Sequence, residues 1–206
     1  MRPADRAWTG DVSRETTERL DVFERTLRAW NQKINLISRH DIEHLWPRHI
    51  HDSAQLLAHR PDHATRWVDI GTGGGFPGLI VAILAAEHDP GLRVTLIESD
   101  RRKAAFLGAA ARACGVTPQI HCARAETLPP QQADVLSARA VAPLKDLLPL
   151  AERHLAPNGV ALFPKGARSD AELASALESW RFTVQKRPSQ TDTAGVILAI
   201  QGVCRV

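Results

Sequence analysis

A glycine-rich run that begins with an acid constrains the fold of this chain more than any other segment. Residues 69–78 read Asp-Ile-Gly-Thr-Gly-Gly-Gly-Phe-Pro-Gly. The apolar segment 67–70 leads into the run and the apolar segment 79–86 follows it, as expected for a buried strand and then a helix. Glycines allow positive φ and a close approach of a ligand to the backbone, and the start of the helix offers free N–H groups. The run therefore predicts a strand-to-helix turn that binds a ligand.

The acid at the start of the run separates two classes of cofactor. A dinucleotide places its pyrophosphate at such a turn, where Asp69 would repel it. S-adenosylmethionine brings an ammonium, a sulfonium and only one carboxylate, so an acid is favourable there. Asp69, with Gly71 and Gly73 of the turn, therefore favours S-adenosylmethionine. A dinucleotide site and a purely structural glycine turn are the alternatives.

A second acid follows at a spacing typical of ribose recognition. Segment 94–98, Val-Thr-Leu-Ile-Glu, has the pattern of a buried strand, and its last residue comes 20 residues after Gly78. The two oxygens of a carboxylate can accept hydrogen bonds from both ribose hydroxyls. Glu98 is therefore the predicted ribose ligand. The alternative is a surface glutamate that opens a turn with Ser99 and Asp100.

Strand and helix patterns alternate from residue 67 onward. Strands are predicted over 67–70, 93–98, 119–122, 134–137, 159–163, 182–186 and 196–201. Helices are predicted over 77–87, 101–113, 143–155 and 169–179. Repeated strand–helix units predict an α/β fold with a doubly wound, mostly parallel sheet, and the last two strands, which no helix separates, predict an antiparallel edge. Ligands of such sheets bind at the carboxyl ends of the strands.

The segment before the first strand is expected to form a helical cap. Apolar positions recur at threes and fours between residues 16 and 34, which predicts an amphipathic helix with Asp11 or Ser13 as its cap. Two more helices are predicted over 42–46 and 47–59. The length of the chain fits one domain, 1–206, in which residues 11–60 form the cap and residues 67–206 a Rossmann-like core.

Composition bounds the partners and the compartment. The net charge of +3 and the pI of about 9.0 permit nucleic-acid binding without demanding it. Cys114, Cys122 and Cys204 are odd in number and form no Cys-x-x-Cys pair, which argues against disulfides and for a reducing compartment. The longest apolar run, 79–86, is too short to span a bilayer. We expect a cytoplasmic monomer that binds neither membrane nor DNA.

A metal site is not expected either. His40 and His44 are four residues apart, as on one face of a zinc-binding helix. No His-Glu-x-x-His motif accompanies them, and no cysteine lies near them in the sequence.

Polar residues follow the third, fourth and fifth predicted strands. Ala125 and Glu126 stand where backbone and carboxylate can meet an adenine edge, Arg139 stands where a guanidinium can lie over cofactor or substrate, and Lys165 stands at the same rim. Each has an alternative as a solvated loop charge.

Two common methyltransferase signatures are absent from the sequence. Residues 137–140 read Ser-Ala-Arg-Ala, not the Asn/Asp-Pro-Pro-aromatic loop of enzymes that methylate exocyclic amines. No cysteine stands beside a proline, as the nucleophile of carbon-5 pyrimidine methylation usually does. With these two classes of reaction disfavoured, the remaining methyl acceptor is an atom that is already nucleophilic.

Five segments occur in the order seen in one family: 30–36, 48–53, 69–78, 137–140 and 165–166. On these segments the chain resembles the RsmG (GidB) family of bacterial 16S ribosomal RNA guanine-N7 methyltransferases. The resemblance implies the Rossmann-like fold of class I S-adenosylmethionine-dependent methyltransferases and methylation of a guanosine in the decoding-region loop. It places cofactor contacts at Gly71, Phe76, Ala125, Glu126 and Arg139. The chain departs from the family pattern at His51, Gly74 and Pro164.

The acceptor that the resemblance implies needs no catalytic base. Guanine N7 has a free lone pair at neutral pH, so the enzyme's task is to orient two reactants and exclude water, and no catalytic residue is expected. Arg139 and Lys165 are placed at the periphery of the acceptor.

RNA contacts are expected on the cap and at the rim of the sheet. They are predicted at Lys33, Arg48, His49 and Lys165, with a structural hydrogen-bonding role as the alternative for His49. The expected partner is 16S ribosomal RNA or the small ribosomal subunit. A methyltransferase of another RNA or of a small molecule, and a non-enzymatic ribosome-assembly factor, are the competing functions.

Overall fold

Seven strands form one sheet in the computed structural model, which describes residues 12–206. The strands are β1 (Arg66–Ile70), β2 (Arg93–Glu98), β3 (Gln119–Cys122), β4 (Ala133–Ala138), β5 (Leu155–Lys165), β6 (Trp180–Pro188) and β7 (Val196–Arg205). Their order is β3-β2-β1-β4-β5-β7-β6. The first five run parallel, and β7 lies antiparallel to both β5 and β6. The predicted mostly parallel sheet with an antiparallel edge is confirmed.

Helices cover both faces of this sheet. They are α1 (Arg14–Asn31), α2 (Arg39–Glu43), α3 (Asp52–Ala54), α4 (Gly78–His88), α5 (Arg101–Ala113), α6 (Leu144–His154) and α7 (Ser169–Leu177). Besides these α-helices, the described residues form a π-helical turn at Trp46–His51 and 3-10 turns at Gln55–His59 and Ala125–Thr127. None of the helices within residues 12–206 has the length and apolarity to cross a membrane.

The sequence predicts the core elements closely and the ends of the last strands less well. β2, β3 and α5 have the predicted bounds. β5 begins at Leu155, four residues before the predicted start, because Leu155 pairs with Ala133 ahead of a shift in register. The Pro157-Asn158-Gly159 sequence has the composition of a turn and conceals this pairing.

The cap differs from its prediction in the second and third helices. Ser13 caps α1 by accepting a hydrogen bond from Thr16 N, and Asp11 lies outside the described residues. The helix predicted over 42–46 is wrong: α2 is shifted three residues toward the N-terminus, where Ser38 Oγ accepts from Asp41 N at 3.1 Å and caps it. The helix predicted over 47–59 is a π-helical turn, α3 and a 3-10 turn in succession.

The cap and the sheet enclose α4 between them. Residues 79–85 of α4 are all buried, because the sheet lies on one side and α1 and α3 on the other. Leu20, Phe23 and Leu27 of α1 are fully buried in the same apolar cluster. α6 and α7 pack on the opposite face of the sheet in a second cluster. The helix that follows the glycine run is therefore held in place from every side.

A close approach fixes the start of α4 against β1. A Cβ on Gly78 would lie 2.4 Å from Leu96 Cδ2, 2.6 Å from Asp69 Cβ and 2.7 Å from Asp69 Oδ2. Only glycine fits between these atoms without displacing the strand or the helix.

We expect Gly78→Ala to reduce the free energy of unfolding by about 1–3 kcal/mol, because the added methyl group overpacks a buried junction. Gly108→Ala in α5 is the matched control, since the nearest atom to its Cβ is the flexible Arg112 Nη1 at 3.6 Å. That control should be neutral or stabilising by up to about 1 kcal/mol through helix propensity. Urea unfolding of both variants measures this difference. Equal unfolding midpoints for Gly78→Ala and Gly108→Ala would contradict the packing constraint at Gly78.

Candidate functional site

The glycine run forms a turn at the carboxyl ends of β1 and β2. Gly71, Gly73 and Gly75 have φ of +67°, +54° and +94°, which non-glycine residues rarely adopt. Gly71 N donates a hydrogen bond to Ile97 O of β2 at 2.8 Å. A Cβ on Gly71 would lie 2.5 Å from Val141 Cγ2, so the loop after β4 packs directly against the bare backbone of the turn.

Asp69 lies beneath this turn and is fully buried. Its Oδ2 accepts from Gly78 N at 3.0 Å, and its Oδ1 accepts from Ser137 Oγ at 2.6 Å. Ser137 Oγ in turn accepts from Trp67 Nε1 at 2.8 Å. Burial raises the pKa of Asp69 to about 6, although the hydrogen bonds from Ser137, Thr72 and Gly78 oppose the shift. The immediate contacts of Asp69 are thus with the protein, and its binding to a cofactor stays a prediction.

Glu98 lies at the rim of the same turn and is 7% exposed. Its Oε2 accepts from Gly73 N and its Oε1 from Asp100 N, both at 2.8 Å. Each oxygen keeps a second lone pair for a ligand hydroxyl. Glu98 is thus buried and not the surface residue of the alternative, although it does form the turn with Asp100 that the alternative expects, and its role as ribose ligand stays a prediction.

The turn at Ala125–Thr127 follows β3, next along the same edge. Ala125 O accepts from Leu128 N at 3.1 Å and lies 3.0 Å from Nε2 of the fully buried His154. Burial lowers the pKa of His154, which favours the neutral ring. Glu126 is exposed. Thr127 N donates to Arg124 O at 3.1 Å within the turn, so the Glu126 carboxylate is the exposed polar group that it offers to a ligand.

Arg139 follows β4 and points to the cap. Its Nη1 donates to Asp52 Oδ2 and to Arg48 O, each at 2.9 Å, and its Nη2 contacts His49 Nδ1. The guanidinium lies 5.3 Å from the ring centroid of Phe76. Its side chain is only 15% exposed. Arg139 therefore joins the cap to the loop after β4.

His49 is the neutral partner in this group. Burial and the nearby Arg139 lower the pKa of His49 to about 4, so the ring carries no charge at neutral pH. Its ring centroid lies 4.8 Å from that of Phe76. This geometry fits a structural role for His49, which is the alternative that the sequence offers. A contact of His49 with RNA stays a prediction.

Asp52 connects this group to the hairpin between β6 and β7. Its Oδ1 accepts from Gln55 Nε2 at 2.8 Å and from Thr191 Oγ1 at 3.0 Å. Gln55 Oε1 accepts from Gln190 N at 2.9 Å. Asp52 therefore ties Arg139, the cap and the hairpin together.

Lys165 lies at the end of β5 and is not the solvated loop charge of the alternative, and its contact with RNA stays a prediction. Its Nζ donates to Glu172 Oε2 at 2.8 Å and to Ala142 O at 2.9 Å, and its side chain is 10% exposed. Although burial raises the pKa of Glu172, the hydrogen bonds from Lys165 and from Leu144 N lower it on balance. The charge of Lys165 is thus directed at Glu172, which holds the loop after β4 to α7.

The remaining predicted RNA contacts lie on the surface of the cap. Lys33 is exposed in the turn after α1. The side chain of Arg48 is 61% exposed, and its Nε lies 3.3 Å from Asp41 Oδ1. Both are accessible to a large ligand, and their contacts with RNA stay predictions.

An open cleft of about 790 Å³ lies between the cap, the loop after β4, the start of α7 and the β6–β7 hairpin. Its charged lining residues are Asp41, Arg48, Asp52, Arg139, Lys165, Arg168, Glu172 and Asp192. Acids and bases are equal in number among them, so the cleft is not a generally positive groove.

Sequence reasoning assigned no role to four residues that shape this site. Asp52 and Ser137 lie inside the segments that resemble the family, so their position in the sequence was a signal that could have identified them. His154 and Val141 carry no signal in the sequence, because their contacts arise only from the packing of α6 and of the loop after β4.

The two histidines weighed for zinc lie close together but without further ligands. The ring centroids of His40 and His44 are 5.1 Å apart. Among residues 12–206, no group of three or more His, Cys, Asp or Glu side chains is arranged to hold a metal ion. The expectation that the chain holds no metal stays a prediction.

Comparison with known proteins identifies the family. The family model described as rRNA small subunit methyltransferase G matches residues 16–196. A protein from a Ruegeria species (strain TM1040), named ribosomal RNA small subunit methyltransferase G, is 55% identical over 196 residues, 95% of each chain.

Solved structures resemble the fold. A SAM-dependent methyltransferase from Aquifex aeolicus has a TM-score of 0.59 at 12% identity, covering 87% of this chain and 98% of that one. A mutant of MtNAS in complex with S-adenosylmethionine has a TM-score of 0.58 at 17% identity, covering 90% and 75%. At these identities the likeness shows the fold alone.

The raised pKa of Asp69 predicts a pH dependence of stability. The folded-state pKa of about 6 exceeds the ordinary value of 3.8, so the folded protein holds this proton more tightly than the unfolded chain does. The contribution of Asp69 to stability is therefore fully present below about pH 4 and is lost as the pH rises through about 6, by up to about 3 kcal/mol. Urea unfolding between pH 4 and 7 should show wild type losing stability relative to Asp69→Asn. If the stabilities of wild type and Asp69→Asn change in parallel with pH, the raised pKa of Asp69 is contradicted.

Proposed function

This chain belongs to the rRNA small subunit methyltransferase G family, and we propose that it methylates N7 of a guanosine in the decoding-region loop of 16S ribosomal RNA. It is an rRNA methyltransferase, and S-adenosylmethionine is its methyl donor. The observation that carries the proposal is the family match over residues 16–196, which includes the bare glycine turn and the rim carboxylate of Glu98.

The residues at the glycine turn fit this donor. Gly71 has a φ of +67° and Val141 fills the position of a Cβ, so the turn keeps a bare backbone that a ligand can approach closely. Glu98 would accept hydrogen bonds from the ribose hydroxyls, and the Ala125–Glu126 backbone and carboxylate would meet the adenine edge. Gly73, which donates to Glu98, and Phe76, which packs against Phe23 of the cap, complete the predicted contacts.

The chemistry needs orientation more than acid–base catalysis. When bound, S-adenosylmethionine supplies an electrophilic methyl group, and guanine N7 can attack it without losing a proton first. The chain's contribution is to hold the base beside the glycine turn and to exclude water, which is worth on the order of 7–11 kcal/mol in well-oriented systems. We assign no residue as a general base.

The pairing of charges in the cleft suits a product base that is cationic. Asp52 lies 2.9 Å from the nearest guanidinium nitrogen of Arg139, and Glu172 lies 2.8 Å from Lys165 Nζ. His49 is neutral at pH 7 because its pKa is about 4. The net positive charge beside N7 is therefore small, which avoids repulsion as the base acquires its charge. Arg139 and Lys165 act at the periphery, as positioning groups.

The setting of the reaction follows from its substrate. Ribosomal RNA is methylated where ribosomes are assembled, so we place the protein in the cytoplasm. We propose that it works there as a single-domain monomer on 16S ribosomal RNA or the small subunit, with no role for DNA or membrane.

The function is tested by mass spectrometry of nucleosides from 16S ribosomal RNA of cells with and without the gene. We expect 7-methylguanosine to disappear from the decoding-region fragment of the deletion strain and to return on complementation with the wild-type gene. Complementation with Gly71→Val, which would fill the bare side of the turn, should not restore it. Unchanged 7-methylguanosine in the deletion strain would refute the proposed function.

A further inference from the structure

Two exposed cations share a shallow depression beside the main cleft. Lys145, in the first turn of α6, and Arg168, directly before α7, both line a depression of about 240 Å³. Both side chains are exposed. Within residues 12–206 neither has a carboxylate oxygen within 4.0 Å, in contrast to Arg48, Arg139 and Lys165.

The framework between these two cations is rigid. Glu172 Oε2 accepts from Leu144 N at 2.7 Å and from Lys165 Nζ at 2.8 Å, so it joins the start of α6, the end of β5 and α7. Lys165 forms the ion pair with Glu172, whereas Arg168 acts on this acid only through longer-range attraction, without an ion pair within 4.0 Å. The charged side chains that line the depression are therefore the two cations Lys145 and Arg168 and one acid, Glu172, which is already paired with Lys165.

The depression is continuous with the cleft that contains Arg139. Pro143, Arg168 and Glu172 line both of them. Val141 lines the cleft and packs against Gly71 of the glycine turn. A strand whose guanosine enters the cleft next to Val141 would therefore continue past Arg168 and Lys145. Exposed, unpaired cations suit phosphates, because they exchange water and counterions for the phosphate without breaking an ion pair of the protein.

We propose that Lys145 and Arg168 contact the phosphate backbone of the ribosomal RNA strand that enters the cleft, and that they, more than Lys165, supply its electrostatic attraction. The inference rests on the proposed function for the identity of the RNA. It assigns these residues to substrate binding and leaves cofactor binding to the opposite end of the site.

The test measures how binding depends on salt. Deproteinised 16S ribosomal RNA from the deletion strain is titrated with wild type and with the double variant Lys145→Ala/Arg168→Ala at several KCl concentrations. Each single-strand phosphate contact contributes about 0.7 to the slope of log affinity against log salt, so the slope should fall by about 1.4 and affinity near 0.1 M salt by at least about tenfold. Affinity for S-adenosylmethionine, measured by calorimetry, should be unchanged.

The matched control removes the same charge from the opposite edge of the sheet. Arg93 begins β2 and Arg112 lies at the end of α5, and both are exposed. Arg93→Ala/Arg112→Ala should keep the wild-type slope, which separates local contact from a change in net charge. A Lys165→Ala variant should lose stability in urea with little change of slope, because Lys165 is paired with Glu172.

Each outcome has a distinct meaning. A wild-type slope in Lys145→Ala/Arg168→Ala overturns the inference, as does an equal loss in the Arg93→Ala/Arg112→Ala control. If wild type binds the RNA with the predicted salt dependence but transfers no methyl group to it or to small subunits, the proposed function fails while the phosphate contacts stand.

Discussion

A carboxylate buried beneath a glycine turn holds this site together. Asp69 accepts hydrogen bonds from the first residue of α4 and from Ser137 of β4, and so connects β1, the turn, the helix and the neighbouring strand. The contact demands that Gly78 have no side chain, and α4 can only take this position because the cap encloses it. Burial of the charge costs free energy, which the hydrogen bonds from Gly78 N and Ser137 Oγ partly offset. The bare, rigid turn that results is what a cofactor needs.

Paired charges organise the rest of the cleft. The Arg139–Asp52 pair joins the loop after β4 to α3, the Lys165–Glu172 pair joins the end of β5 to α7, and Asp52 also contacts the β6–β7 hairpin. These pairs fix the walls of the cleft and leave little net charge inside it. Attraction of an RNA backbone then falls to exposed cations at the rim, so orientation of the base and capture of the strand are carried by different residues.

The sequence predicts the fold and the cofactor edge because those signals are local. The glycine run, the alternation of strands and helices, and the spacing to Glu98 are all contained in short stretches of chain. The partners of the charged residues are not local. Thr191 contacts Asp52 across 139 residues, and Arg139 contacts the same acid across 87 residues. A sequence shows that Lys165 is a cation at the rim but not that its charge is already paired, and the irregular helices at 46–59 likewise depend on packing.

The central claim is that Asp69 shapes the cofactor turn through hydrogen bonds, and calorimetric titration of S-adenosylmethionine into wild type, Asp69→Asn and Asp69→Ala tests it most directly. The asparagine oxygen can still accept from Gly78 N, so we predict that Asp69→Asn binds within about tenfold of wild type, a loss of about 1.4 kcal/mol or less. Asp69→Ala leaves two buried donors without a partner and should bind far more weakly. If Asp69→Asn loses binding as completely as Asp69→Ala, the negative charge itself holds the cofactor, and the claim is contradicted.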